Sequence, residues 1–382
     1  MRDANEVISI FTDIKADPVK YLQSLKDVSG KKIIGCMPMY LPEEMIYASG
    51  MHPTYVPGRA ERITLGSKHL QQFFCGYARA VLDAALKGDL DFLDGMLFQD
   101  TCHTLRPVFD IIAANHPYSF MRRINMPVVL SRPQAKPFFT QELRLLKRDL
   151  EGFAGKEISE KELKEAIYVY NENRELLKKI YTLRRSRPEL IRAREMVSIV
   201  FASMIMPKTD HNLLLRKLLA SISERTPPLK DQRIRVVLTG SLCEEPLDYL
   251  LDLIEELGGI VVDDDLFTGS RYFLNTVPLL TDPIESLVSA YINMDLPCPT
   301  RINENRKLGK YVLDLARRSK ADAIIIVMVK FCEAHDYAYP QMKQFFEEAK
   351  MPHLVLKTQH DSTSIEQIKT RLQAFFELQR GR

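Results

Sequence analysis

Most of the short motifs that mark a site in a sequence are missing from this chain. No two of its six cysteines form C-x-x-C, so a local zinc or ferredoxin-type signature is absent. No G-x-G-x-x-G follows a predicted strand, and Gly240-Ser241 and Gly258-Gly259 read as turn glycines, which argues against a dinucleotide site. No G-x-x-x-x-G-K-[ST] occurs either. Gly66-Ser67-Lys68 lacks the upstream glycine, and Ser67 reads as a helix cap. The chain is therefore expected to bind no nucleotide and to leave ATP hydrolysis to another protein. There is no G-x-S-x-G elbow to support a hydrolase. Charge of one sign is not in excess: the formal net charge is +3, too close to neutral to suggest nucleic acid as a partner. The longest apolar runs are about seven to eight residues, far below the ~20 that span a bilayer. The N-terminus carries Asp3, Glu6, Asp13 and Asp17 where a signal peptide would be basic and then apolar, so a cytoplasmic protein is expected. No internal repeat or low-complexity segment stands out.

What is present is an alternation of strands and helices in a chain of 382 residues, 46% of them hydrophobic, enough for two domains with substantial cores. Residues 1–30 predict one amphipathic helix. Lys32–Met37 predicts a buried strand, and Pro42-Glu43-Glu44 opens a helix to about Ser49. A long helix is expected over Ser67–Lys87, then strands at 96–98 and Pro127–Leu130 with a helix from about Leu105 between them. From Gln141 to Ser223 helix dominates, with a capping box at Ser159-Glu160-Lys161-Glu162. Beyond Pro227-Pro228 the alternation resumes. Strands are expected at Arg233–Leu238, Gly259–Val262, 323–329 and His353–Leu356, and helices near Pro246–Leu257, Asn303–Ser319, Tyr339–Ala349 and Ser364–Leu378. The reading is α/β: two Rossmann-like or flavodoxin-like lobes with parallel sheets (1–140 and 229–382) joined by a helical segment (141–228).

The cysteines are the most informative residues. Cys102 and Cys332 each follow a predicted strand, in DGMLFQDTCH and KFCEAHDYAYP, and Cys75 lies in a predicted helix. Loops at the carboxyl ends of parallel strands are where such sheets bind ligands. Three thiolates meeting there can hold an iron–sulfur cluster with one iron open. Buried packing is the plainer role for any one cysteine, including Cys36, Cys243 and Cys298. A zinc site using Cys102-His103 and Cys332-x-x-His335 is a further alternative. Glu43-Glu44 reads either as a favourable first helical turn or as a carboxylate facing the crevice to move protons. Arg59, Arg62, Arg132 and Lys136 read as solvated surface or as contacts to an anionic substrate. Gly269-Ser270-Arg271-Tyr272 reads as a turn leading into a helix or strand.

Five blocks, IIGCMPMYLPEEMIYASGMHP, LDFLDGMLFQDTCHTLRPVFDI, GKEISEKELKEAIYVYNENREL, LIEELGGIVVDDDLFTGSRYF and VKFCEAHDYAYPQMKQFFEEAKMPHLVL, occur in this order. Together they resemble the benzoyl-CoA reductase and 2-hydroxyacyl-CoA dehydratase family, from about Lys31 to the C-terminus. The resemblance implies a heterodimer of two related subunits, each with α/β lobes and one [4Fe–4S] cluster held by three cysteines, here Cys75, Cys102 and Cys332. It also implies a separate ATP-hydrolysing iron–sulfur activator and an acyl-CoA substrate reduced by one electron to a ketyl. Its PEE segment makes Glu44, and less so Glu43, a proton-transfer candidate, with Tyr40, Ser270 and Arg271 as substrate-binding candidates. Two departures matter. Phe267 stands where double-cubane members carry cysteine, so a single cubane is expected, and His103 stands where related chains often have aspartate. LDFLDGMLFQDTCH and the PCPT loop around Cys298 look more like the reductase branch. GKEISEKELKEAIYVYN and KFCEAHDYAYP look as much like the dehydratases. A benzoyl-CoA reductase subunit is slightly favoured, then a dehydratase subunit, then a subunit that only relays electrons or completes an interface.

Overall fold

A computed structural model describes residues 3–58, 62–229, 233–240, 248–303, 306–359 and 364–381. The chain begins with α1 (Ala4–Ala16) and α2 (Pro18–Ser29) rather than the single helix expected. Asp17 causes the break. Its N–H closes α1 on Asp13, its side chain accepts the N–H of Lys20, and Pro18 takes the first position of α2, where its missing N–H costs nothing. Then come β1 (Ile33–Cys36), α3 (Glu43–Ala48), β2 (His52–Tyr55), α4 (Gly66–His69), α5 (Gly76–Lys87), β3 (Gly95–Gln99), α6 (Leu105–Asn115) and β4 (Phe120–Ile124). The expected helix over Ser67–Lys87 is thus two helices. Asp83 on α5 accepts the N–H groups of Thr64 and Gly66 at 2.7 and 2.9 Å. This folds the preceding segment back along α5 and leaves Cys75 at its N-cap.

The expected strand at Pro127–Leu130 is also corrected. The strand is Phe120–Ile124, whose half-exposed Met121, Arg122 and Arg123 mask the apolar pattern of an edge strand. Val129 makes only an isolated bridge to Ile302. Four long helices follow: α7 (Ala135–Ala154), α8 (Glu160–Ser186), α9 (Ala193–Ile205) and α10 (Lys208–Ser221). The capping box forms as read, with Ser159 and Glu162 bonding each other's backbone. The remaining elements are β5 (Ile234–Gly240), α11 (Asp248–Glu256), β6 (Gly259–Asp265), α12 (Ser270–Phe273), α13 (Pro283–Ile292), α14 (Leu308–Arg318), β7 (Ala323–Val329), α15 (Glu333–Glu348), β8 (His353–Thr358) and α16 (Ile365–Arg380). β2 and α13 were not expected, and after the Gly269 turn the chain takes the helical alternative, α12. α15 begins six residues before Tyr339, straight after Cys332.

The described strands form two four-stranded parallel sheets, ordered β2-β1-β3-β4 and β6-β5-β7-β8. The orders are the same once the second sheet is counted from its own first strand, a topological repeat without a readable sequence repeat. Alternate residues of each central strand enter cores on opposite faces. Ile325 and Val327 of β7 go to one core, and Ile324, Ile326 and Met328 to the other. Gly240 ends β5 at φ +132°, where a Cβ would lie 1.9 Å from the Val327 carbonyl oxygen. Only glycine permits this approach beside the strand that leads to Cys332.

Candidate functional site

In each sheet the chain runs outward from the first strand, then crosses back to the third. The crevice at that reversal is the binding position of open α/β sheets. Cys102 comes three residues after Gln99 at the end of β3, and Cys332 comes three residues after Val329 at the end of β7. The two thiols therefore occupy matching places in the two sheets. Cys75 reaches the same place from α5. All three line one cavity of ≈ 370 Å³, together with Met39, Thr101, Met126, Val128, Arg301, Val329, Phe331 and His335.

Each cysteine also stands at or just before the start of a helix of at least eleven residues. Cys75 is the N-cap residue of α5, Cys332 that of α15, and Cys102 is separated from α6 by His103 and the cap Thr104. Unpaired N–H groups at helix starts stabilise nearby anions. Burial pushes the Cys102 thiol up, opposed by the backbone N–H groups of Leu105 and Thr104. Arg301, 5% exposed, donates to the carbonyls of Asp100 and Thr300 at 2.8 Å, fixing the loop that carries Cys102 and adding a buried positive charge. No local pattern in the sequence marked this residue. Phe331 beside Cys332 has φ 67°, a left-handed conformation that costs about 1–3 kcal/mol in a non-glycine residue and is concentrated at ligand sites.

The structure brings the three cysteines expected to hold a cluster to one cavity. Among the described residues no three His, Cys, Asp or Glu side chains are close enough to hold one metal ion, so the zinc alternative at Cys102-His103 and Cys332-His335 is not assembled. A zinc ion needs all its ligands within about 2.3 Å, whereas a four-iron body spreads its thiolates apart. Cys298 and Cys36 line other ground: Cys298 contacts Thr300 Oγ1 at 3.1 Å, and Cys36 lies buried at the end of β1. Cys243 lies outside the described residues.

The PEE carboxylates do not enter the cysteine cavity. They line a second, smaller one of ≈ 90 Å³ with Cys36, Met39, Tyr40, Tyr170, Arg174, Lys208, Phe267, Arg271, Tyr272 and Tyr291. Met39 borders both cavities. Glu44, 1% exposed, takes one N–H of Arg174 at 2.5 Å on Oε1, and its Oε2 is buried with no hydrogen-bond partner among the described residues. Glu43 accepts the Tyr272 hydroxyl at 2.9 Å and pairs with Lys208 at 3.4 Å. Lys208 in turn donates to Tyr272 and to the Ser203 carbonyl, with its charge 5.0 Å from the Tyr170 ring. Burial lowers the Lys208 pKa, against the pull of Glu43. Arg174 and Lys208 come from α8 and α10, so nothing local in the sequence pointed to them.

Of the remaining candidates, Tyr40 (φ 65°) lines the smaller cavity, where burial and then Cys298 raise its hydroxyl pKa. Arg271 lines it too, ion-paired to Asp265 at 2.8 Å. Ser270 is fully buried, its hydroxyl donating to the Asp264 carbonyl at 2.5 Å and its N–H to Asp264 Oδ1 at 2.8 Å. That side chain is committed to the turn before α12. Phe267 places an aromatic ring against Tyr55 and Tyr272 where a double-cubane chain would offer a thiol. Arg62 and Arg132 are exposed, Lys136 pairs with Glu285 at 2.9 Å on the surface, and Arg59 lies outside the described residues. No helix among the described residues is long and apolar enough to cross a membrane.

The family model described as 2-hydroxyglutaryl-CoA dehydratase, D-component, matches residues 38–378. The chain is 30% identical to the (R)-phenyllactyl-CoA dehydratase beta subunit of Clostridium sporogenes, over 99% of this chain and 100% of the relative. It is 30% identical to the beta subunit of the lactoyl-CoA dehydratase of Anaerotignum propionicum, with the same coverage. It is 28% identical to one of the benzoyl-CoA reductase subunits of Thauera aromatica, over 90% of each chain.

Proposed function

The chain belongs to the 2-hydroxyglutaryl-CoA dehydratase, D-component, family, and on that premise we propose that it is the iron–sulfur subunit of a heteromeric acyl-CoA enzyme. One observation carries the reading: three cysteines from separate elements, each at a helix start, line one cavity between the strand ends of two parallel sheets. Cys75, Cys102 and Cys332 would hold a single [4Fe–4S] cluster. When bound, such a cluster supplies one-electron transfer at low potential. The chain's own residues set the conditions. The helix starts and Arg301 offset the negative charge of three thiolates, and Met39, Met126, Val128 and Val329 keep the surroundings apolar.

Glu44 remains the better proton-transfer candidate, because its Oε2 is unpaired whereas Glu43 is held between Lys208 and Tyr272. The cavity before Glu44 is ≈ 90 Å³, below the ~150 Å³ in which an engineered protein cavity binds benzene. An acyl group would enter it only if neighbouring side chains moved. In this reading the subunit's first task is electron transfer, acyl chemistry is completed against a paralogous second subunit, and electrons come from a separate ATP-hydrolysing activator.

Of the two reactions, elimination of water from a 2-hydroxyacyl-CoA is the first reading, since the dehydratase relatives match over 99% of the chain. The reductase reading, put first on the sequence blocks, becomes the second here, supported by the benzoyl-CoA reductase relative. Anaerobic co-purification with the second subunit and activator, followed by product analysis with ATP and a reductant, separates them. Enoyl-CoA with catalytic electrons supports the dehydratase. Dienoyl-CoA with two electrons consumed per product establishes the reductase. Iron-free protein refutes both.

A further inference from the structure

His335 is 1% exposed and lines the cysteine cavity, yet both of its ring nitrogens are buried without a hydrogen-bond partner among the described residues. Its backbone N–H donates to the Cys332 carbonyl at 3.0 Å, which sets the ring in the first turn of α15 beside that cysteine. The other buried imidazoles are satisfied. His211 accepts from Asn173 at 2.8 Å and bonds the Ile199 carbonyl at 3.0 Å, and His52 bonds the Ile205 carbonyl at 2.8 Å. Leaving a buried donor unmet costs about 1–3 kcal/mol. A ring needed only for packing would be served at no such cost by phenylalanine. The unmet N–H therefore marks a missing acceptor in the cavity.

We propose that His335 donates its ring N–H to a sulfur of the cluster held by Cys75, Cys102 and Cys332, and so raises the potential of that cluster. This rests on the cluster reading above. A donor aimed at sulfur favours the more negative, reduced state, which moves the potential upward. His335 is a positioning and tuning residue; it need not touch the acyl substrate.

The test compares wild type with His335→Phe, which fills the space without a donor, and His335→Gln, which keeps an N–H. Each protein is purified anaerobically, its iron and sulfide are quantified, and its one-electron midpoint is read by an EPR-monitored titration. With full iron, His335→Phe is expected to shift the reduced-to-oxidised ratio about tenfold toward the oxidised form, about 59 mV for one electron. His335→Gln should recover part of this. Iron lost in the Phe variant but kept in the Gln variant also supports the donor role. Equal potentials in all three proteins, or iron lost equally in both variants, overturn this inference alone. Iron-free wild type overturns the cluster reading and this inference with it.

Discussion

Replacing Arg174 by methionine tests the smaller cavity most directly. Glu44 and Arg174 are joined at 2.5 Å with side chains 1% and 13% exposed, so water can replace little of what either loses. Arg174 keeps a raised pKa because Glu44 more than offsets the burial that would lower it. Removing one member of a buried pair typically costs about 3–5 kcal/mol, because the partner is left as an uncompensated charge, whereas replacing both with apolar groups is often near neutral. Arg174→Met should therefore destabilise by about 3–5 kcal/mol. Glu44→Met should cost somewhat less, since Asn171 Oδ1 still accepts from Arg174 at 3.0 Å. The double variant should be more stable than Arg174→Met alone, giving a coupling of about 2 kcal/mol or more. Urea unfolding read by circular dichroism and by tyrosine fluorescence suits a chain with fifteen tyrosines and no tryptophan. Additivity within about 0.5 kcal/mol would refute the buried-pair argument.

Alanine at Cys75, Cys102 or Cys332 should abolish iron retention, whereas alanine at Cys36 or Cys298 should leave it intact; iron and sulfide assays on anaerobically purified protein decide this. Stability should fall on acidification, because burial pushes His52 down to about 4 and His211 down to about 3 from 6.5. Both rings are neutral in the fold, so their contribution is full above pH 6.5 and is lost as pH falls toward 4 and 3, about 2 kcal/mol per ring by pH 5. His211→Gln should remove about one proton from that dependence in urea melts; an unchanged slope would count against the burial argument. Ser159→Ala removes the capping box of α8 and should cost about 0.5–2 kcal/mol in the same melts.

The parallel α/β architecture was legible because β1, β5, β7 and their neighbours carry apolar runs of strand length bounded by turn residues, and those runs can be satisfied only between two helical layers. The capping box at Ser159 and the helix after Pro42 were legible for a similar reason: their hydrogen bonds are made within four residues. The strand Phe120–Ile124 was not, because its pairing to β3 outweighs the charge of Arg122 and Arg123. The Ser67–Lys87 segment reads as one helix until Asp83 ties Thr64 and Gly66 back onto it. That break is what places Cys75 at a helix start.

The sequence by itself therefore determined the layers, the matching positions of Cys102 and Cys332 after their strands, and the family blocks that single out Cys75 with them. Only the tertiary structure decided that all three share one cavity, that Glu43 and Glu44 stand in another, and that His335 is left with unmet nitrogens. Strand ends are fixed by local hydrogen bonding and apolar pattern. A cavity wall is assembled by partners such as Arg174, Lys208 and Arg301, far from Glu44, Glu43 and Cys102 along the chain, and no local pattern encodes such pairings.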